Sequence, residues 1–295
     1  MRHDRAEPMI RCREIAPDDL DAIADLLTRG FVGRSRDYWI TGLRRQATRD
    51  VPEGYPRFGY MLVNDGAPVG VLLLIYTNRG EGNATEIRCN LSSWYVEPAW
   101  RNYAPMLTKI AQRLNEVTYI NISPARRTWP IIEAQGFRAY CKGLFFSIPC
   151  LSRASGPARV EIILADMTEI DGLPADEAKL LVRLARNGCL SIVVRTPQGA
   201  MPFVLQPMRI RRGFIEPPAM QMIYCRDTAD YIACAAAIGR FLLVRGKIAV
   251  ALDANAPVPG LVGVYTERRG RKYFKGPLKP RLGDLSDTEL VIYGP

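Results

Sequence analysis

The chain has 295 residues, is 48% hydrophobic and 24% charged, and carries a formal net charge of +10. That balance excludes a disordered or fibrous chain, and the length allows two domains with a sizeable core. No apolar run approaches the ~20 residues that cross a bilayer, and the charged start Met-Arg-His-Asp-Arg-Ala-Glu has no secretory apolar stretch, so the expected location is the cytoplasm, with no membrane partner.

Met9 to Ile15 reads as a first strand. Pro17-Asp18-Asp19 opens a helix, with proline early and acids in the first turn, and Leu20, Ile23, Ala24 and Leu27 mark its inner face. A second helix is expected over Ser35 to Thr48, then a Pro/Gly loop from Val51 to Pro56. Phe58 to Val63 and Val69 to Tyr76 are apolar strands joined by a hairpin cue at Asn64-Asp65-Gly66-Ala67-Pro68.

A fourth strand, Thr85 to Val96, stops at Glu97-Pro98, because a proline cannot continue a central strand. About four residues of turn should follow, then a helix from about Tyr103 to Val117 with Leu107, Ile110, Ala111, Leu114 and Val117 on one buried stripe. A strand feeding a helix through a short turn aims backbone N–H groups at one point, which suits a phosphate. Tyr119 to Ile122 is a short fifth strand, a helix near Arg126 to Ala134 closes at Gln135-Gly136-Phe137, and Leu144 to Ile148 is expected to complete the first domain, residues 1–150.

Val96-Glu97-Pro98-Ala99-Trp100-Arg101-Asn102-Tyr103-Ala104-Pro105-Met106-Leu107 resembles the acyl-CoA site of the GCN5-related N-acetyltransferase (GNAT) superfamily. The stretch Arg13 to Leu27 resembles the opening of many of its members. With the order of segments over 9–148, the resemblance implies an α/β (α+β) fold with a mixed, mainly antiparallel central sheet flanked by helices. It implies acetyl-CoA or another acyl-CoA as co-substrate and direct attack by a small-molecule or peptide amine. Backbone groups of Trp94, Tyr95 and Val96 would meet the pantetheine, in a gap where the fourth strand splays from the fifth. Arg101, Asn102, Tyr103, Ala104 and Met106 would form the pyrophosphate turn. Glu86 is the candidate base and Tyr140 the candidate acid. The sequence departs from the family at Ala104 and Met106, where small residues are usual, at Pro105, which removes a donor, and at Ile132, where many members carry a tyrosine acid. Arg34, Arg36, Arg44, Arg45 and Arg49, with Asp37 and Asp50, lie where the family builds an acceptor wall; they read first as a solvated helix face, with an anionic acceptor or the CoA 3′-phosphate as the functional alternatives.

Leu151 to Pro157 reads as a linker, followed by residues 151–295 as a second domain. Arg159 to Leu164 is a strand and Asp171 to Asn187 a helix. Leu190 to Arg195, Met201 to Leu205, Met208 to Phe214 and Met220 to Cys225 are successive strands. Asp227 caps a helix through Leu242, and Lys247 to Leu252 is a strand. The repeated rhythm reads as a second, degenerate GNAT-like unit, without a phosphate turn and with Asp227 and Asp230 opposed to an anion. A lid, an acceptor wall or a homodimer surface are the roles open to it. Arg268-Arg269-Gly270-Arg271-Lys272 reads as a solvated basic turn.

Seven cysteines with no Cys-x-x-Cys read as structural thiols, and the single histidine, His3, leaves no supply for a metal site or a Ser-His-Asp system. The arginines are dispersed, so the charge reads as a solvated surface rather than a nucleic-acid footprint. The function expected is acyl transfer from CoA to an amine. Two alternatives stay open: a catalytically inactive module of the same fold, and an aminoacyl-tRNA-dependent transferase.

Overall fold

The computed structural model describes residues 10–79, 86–208 and 218–294. The charged start with His3, the first residue of the expected first strand, Thr85, and the expected strand beyond Met208 lie outside these.

In chain order the first elements are β1 (Arg11–Glu14), α1 (Leu20–Gly30), α2 (Arg36–Ala47), β2 (Gly59–Asn64), β3 (Ala67–Arg79), β4 (Glu86–Val96), α3 (Ala104–Ala111) and β5 (Thr118–Asn121). There follow α4 (Trp129–Ala134), β6 (Arg138–Cys141), β7 (Gly143–Ser147), β8 (Arg159–Ile162), α5 (Ala175–Arg186), β9 (Leu190–Thr196), β10 (Gly199–Met208) and β11 (Ala219–Cys225). The chain ends with α6 (Thr228–Leu243), β12 (Ala249–Ala254), β13 (Gly263–Thr266), β14 (Lys272–Lys275) and α7 (Glu289–Ile292).

The local signals act as their chemistry requires. Asp19 accepts the Ala16 N–H at 2.8 Å and a two-armed contact from Arg13, fixing the start of α1. Ser35 caps α2 by accepting the Tyr38 N–H at 3.2 Å. The β2–β3 turn holds Asp65 and Gly66 at positive φ, as a two-residue hairpin turn needs. Asp227 caps α6 through the Ala229 N–H at 3.2 Å.

Two seven-stranded mixed sheets result, ordered β1-β2-β3-β4-β5-β14-β6 and β13-β7-β12-β11-β10-β9-β8. Only β4–β5 and β11–β12 are paired parallel among the pairings with a described register; the others are antiparallel. The strand expected to complete the first domain is β7, and it lies in the second sheet, between β12 and β13. Tyr273-Phe274-Lys275, left unassigned by the sequence, belongs to β14 of the first sheet. Strand partners are chosen by long-range register, which a local pattern of alternation does not carry.

By its contacts the chain forms two compact units. One takes the residues up to Asn121 with Phe274–Lys279 and Asp287–Gly294; the other takes Ile122–Tyr273 with Pro280–Ser286. In the first, α1, α2, Val71, Leu73, Ile75, Ile292 and Tyr293 build one core. In the second, α6 is buried against β9–β12 around Phe203, Tyr231 and Ile238.

Candidate functional site

Within the first unit β4 pairs with β3 along its whole length, but with β5 only from Arg88 to Asn90. Past Asn90, among the described residues, no strand register covers the other edge of β4. Strand β5 itself ends at Asn121, one residue past its last pair with β4, and the vertex there is a side chain. Asn90 is buried and its amide donates to Leu91 O at 3.2 Å and Ile120 O at 3.3 Å, tying β4 to β5 at their last shared pair. Three residues on, Ser93 has φ +32°, and the register against β3 slips between Leu72 and Leu73. This is a β-bulge with a non-glycine residue in the left-handed region, which re-aims the strand at the start of the open edge. Sequence reasoning missed the bulge and Asn90. The available signal was a lone amide between the apolar residues Cys89 and Leu91.

The pairing fixes the faces. Tyr95 lies opposite Val71, and its ring packs on Gly30 at the end of α1 and 6.3 Å from Phe31. Trp94 and Val96 are opposite Leu72 and Gly70, on the other face. The Trp94 indole N–H is buried without an acceptor among the described residues. Glu86 sits at the start of β4 with Arg88 at 3.3 Å, about 23 Å along the strand from Ser93 at ~3.3 Å per residue. Tyr140 lies on β6 in the second unit and is buried.

The expected loose turn after Val96 is instead a 3-10 helix, Pro98–Tyr103, running straight into α3. Its own bonding takes up amides: Trp100 N–H goes to Glu97 O and Ala104 N–H to Arg101 O. Arg101, Asn102 and Met106 are exposed, and Tyr103 and Ala104 half-buried. Glu97 at the head of the turn pairs with Arg29 at 2.9 Å. Helix α3 ends at Ala111 rather than near Val117, because the chain turns there to enter β5; Leu114 N–H donates to Tyr119 Oη at 3.3 Å.

Of the arginines expected to line an acceptor wall, most already have partners. Arg36 pairs with Asp21 and Asp25, Arg34 lies over the Tyr38 ring, Arg45 donates to Ile292 O, and Arg49 meets Thr77 and Asp287. On the α3 face of the sheet, Tyr76, Cys89 and Tyr119 form a buried hydrogen-bonded chain. Burial holds the thiol and Tyr76 well above their ordinary values and pushes Tyr119 up to about 12, so all three stay neutral.

The second unit repeats the arrangement and closes it. β11 pairs with β12 only from Ala219 to Gln221, and the Gln221 amide donates to Met222 O and Ala251 O at 3.3 Å, as Asn90 does in β4. Here the edge beyond is filled by the chain itself. Leu285 N–H donates to Ile223 O at 2.8 Å, Cys225 N–H to Gly283 O at 2.9 Å, and Tyr224 bridges to Asp284. Gly283 has φ +76°, and an added Cβ would lie 2.7 Å from Cys225 Sγ, so this segment fits closely. Glu177 then accepts from Tyr224 at 2.8 Å and pairs with Arg226 at the strand's end.

Among the described residues no group of three or more His, Cys, Asp and Glu could hold a metal ion, and no helix is long and apolar enough to cross a membrane. No family profile and no curated protein matches this sequence. Solved structures do. A GCN5-related N-acetyltransferase from Kribbella flavida is 13% identical with a TM-score of 0.57, covering 90% of this chain and 71% of that one. One from Anabaena variabilis is 11% identical with a TM-score of 0.54, covering 90% and 72%. At such identities the likeness is one of fold, and it extends through both sheets: the chain has the GNAT fold.

Proposed function

We propose that this chain, with its GNAT fold, binds an acyl-CoA in its first unit and transfers the acyl group to an amine by direct attack, most simply as an N-acetyltransferase. The observation that carries the reading is the contrast between two equivalent strand edges. The edge of β4 past Asn90 has no described chain partner, whereas the edge of β11 past Gln221 is occupied by Gly283–Leu285. A pantetheine carries amides that can bond a strand edge, so the first edge suits it and the second is already taken.

In this proposal the main chain of Trp94, Tyr95 and Val96 bonds the pantetheine, whose thioester end runs past the re-aimed backbone at Ser93 toward Asn90. The pyrophosphate lies over the turn bearing Arg101, Asn102, Tyr103, Ala104 and Met106. Because the Ala104 amide is engaged and Pro105 has none, the Arg101 side chain carries more of that contact than backbone does. Glu86 and Tyr140, the acid–base residues the resemblance implies, are given no role in this proposal: Glu86 lies about 23 Å along the strand from Ser93, and Tyr140 belongs to the second unit. The chain is proposed to be a cytoplasmic duplication with halves 1–150 and 151–295, a reading supported by the matching behaviour of Asn90 and Gln221.

One observation favours a second reading, a non-catalytic module. Pro105 removes a main-chain donor from the turn and the Ala104 N–H is already bonded to Arg101 O, which leaves fewer amides for a phosphate. Thermal shift with acetyl-CoA decides occupancy, since a ligand at ~100 times its Kd adds about 2.7 kcal/mol. Thiol release with a panel of primary amines then decides turnover. Binding without release supports the module; no binding, with transfer from charged tRNA, supports the aminoacyl reading.

A further inference from the structure

We infer that Glu289, in the segment Asp287–Gly294, is the general base of the first unit's reaction; this rests on the acyl-CoA reading above. With the phosphates beyond the C-terminal end of β4, the carrier runs back along the open edge. Its acyl end then points to the vertex at Asn90. At that vertex Asn90 Oδ1 accepts the Glu289 N–H at 2.8 Å, across 199 residues of sequence.

The segment is held firmly. Asp287 pairs with Arg79 at 3.0 Å and with Arg49 at 3.5 Å. Tyr293 Oη donates to Gln46 Oε1 at 2.7 Å, and Val291, Ile292 and Tyr293 are buried. Glu289 between them is half-buried, with its Oε2 shielded from solvent. Its carboxylate acts on the Tyr293 phenol, which burial chiefly, with that charge, holds well above its usual value. Glu86 stands four residues behind the vertex, about 13 Å along the paired part of β4 and against Arg88. The bond to Asn90 fixes the Glu289 main chain at the vertex, so its side chain starts there, whereas Glu86 starts about 13 Å away.

The step balances. The amine lone pair attacks the thioester carbonyl, the C–N bond forms, and the nitrogen proton passes to the Glu289 carboxylate directly or through one water. The C–S bond breaks, the CoA thiolate takes a proton from solvent, and Glu289 returns its own to solvent. The charged and titratable groups around the segment include Tyr38, Arg45 and Arg49 of α2, Arg79 of β3, and Asp287 and Tyr293 beside it.

The test compares the full-length protein with Glu289→Gln and Glu289→Asp. Acetyl-CoA binding is read by thermal shift. Thiol release from acetyl-CoA is followed across pH with a mixture of primary amines and with water as the weakest acceptor. The expected result is an unchanged binding shift for E289Q, with release lowered about 100-fold or more and its acid limb gone, and partial recovery in E289D. Release by E289Q within about threefold of wild type overturns the assignment, as does a wild type that binds acetyl-CoA yet releases no thiol above background. A wild type that does not bind acetyl-CoA overturns the acyl-CoA reading itself, and the assignment with it.

Discussion

Replacing Gly42 with alanine sets two known effects against each other. Gly42 lies inside α2, where alanine gains about 1 kcal/mol through helix propensity alone. A Cβ there would fall within the Tyr293 ring, so the ring has to leave its site. Tyr293 is 5% exposed, and its burial is worth about 2–3 kcal/mol. Its departure also leaves Gln46 Oε1, on a residue with no exposure, without its donor, at a cost of about 1–3 kcal/mol. The net expectation is a loss of about 2–5 kcal/mol for G42A. The urea midpoint of the first unit should fall, and limited proteolysis should release a C-terminal peptide that the wild type protects. Acetyl-CoA binding should survive, and thiol release should fall as Glu289 leaves Asn90. A G42A protein about 1 kcal/mol more stable than wild type, its C-terminal segment still protected, would refute the reasoning.

Ser93→Gly should stay within about 1 kcal/mol of wild type and keep acetyl-CoA binding, whereas Ser93→Val should lose a further 1–2 kcal/mol (roughly) and weaken binding, as read by calorimetry, because φ +32° suits only the first. The Arg13 guanidinium and the Ala16 N–H hold the Asp19 carboxyl below its ordinary value. The contribution is therefore present above about pH 4 and lost as pH falls through the depressed value; Asp19→Asn should flatten the acid side of the stability profile. Burial pushes Cys12, Cys141 and Cys234 up to about 11 and Cys225 to about 12, so native protein should react slowly with a thiol reagent at pH 8 and yield its seven thiols on denaturation. Fast native titration of these four would contradict that placement.

What the sequence determined by itself was local. The start of α1 at Pro17-Asp18-Asp19, the Ser35 cap, the Asp65-Gly66 turn and the end of β4 before Pro98 each follow from a few neighbouring residues whose stereochemistry allows little else. The resemblance carried by residues 13–27 and 96–107, with the order of segments over 9–148, implied the GNAT fold, and the repeated rhythm implied its doubling. The tertiary structure alone decided where β4 parts from β5, that β7 and β14 take places in the other sheet, and that Gly283–Leu285 closes the second edge. It alone brought Glu289 to Asn90 and Tyr293 to Gln46, across 199 and 247 residues. A contact between distant residues leaves no period in either stretch. It is selected by burial and by the pairing of polar groups that only the folded chain brings together.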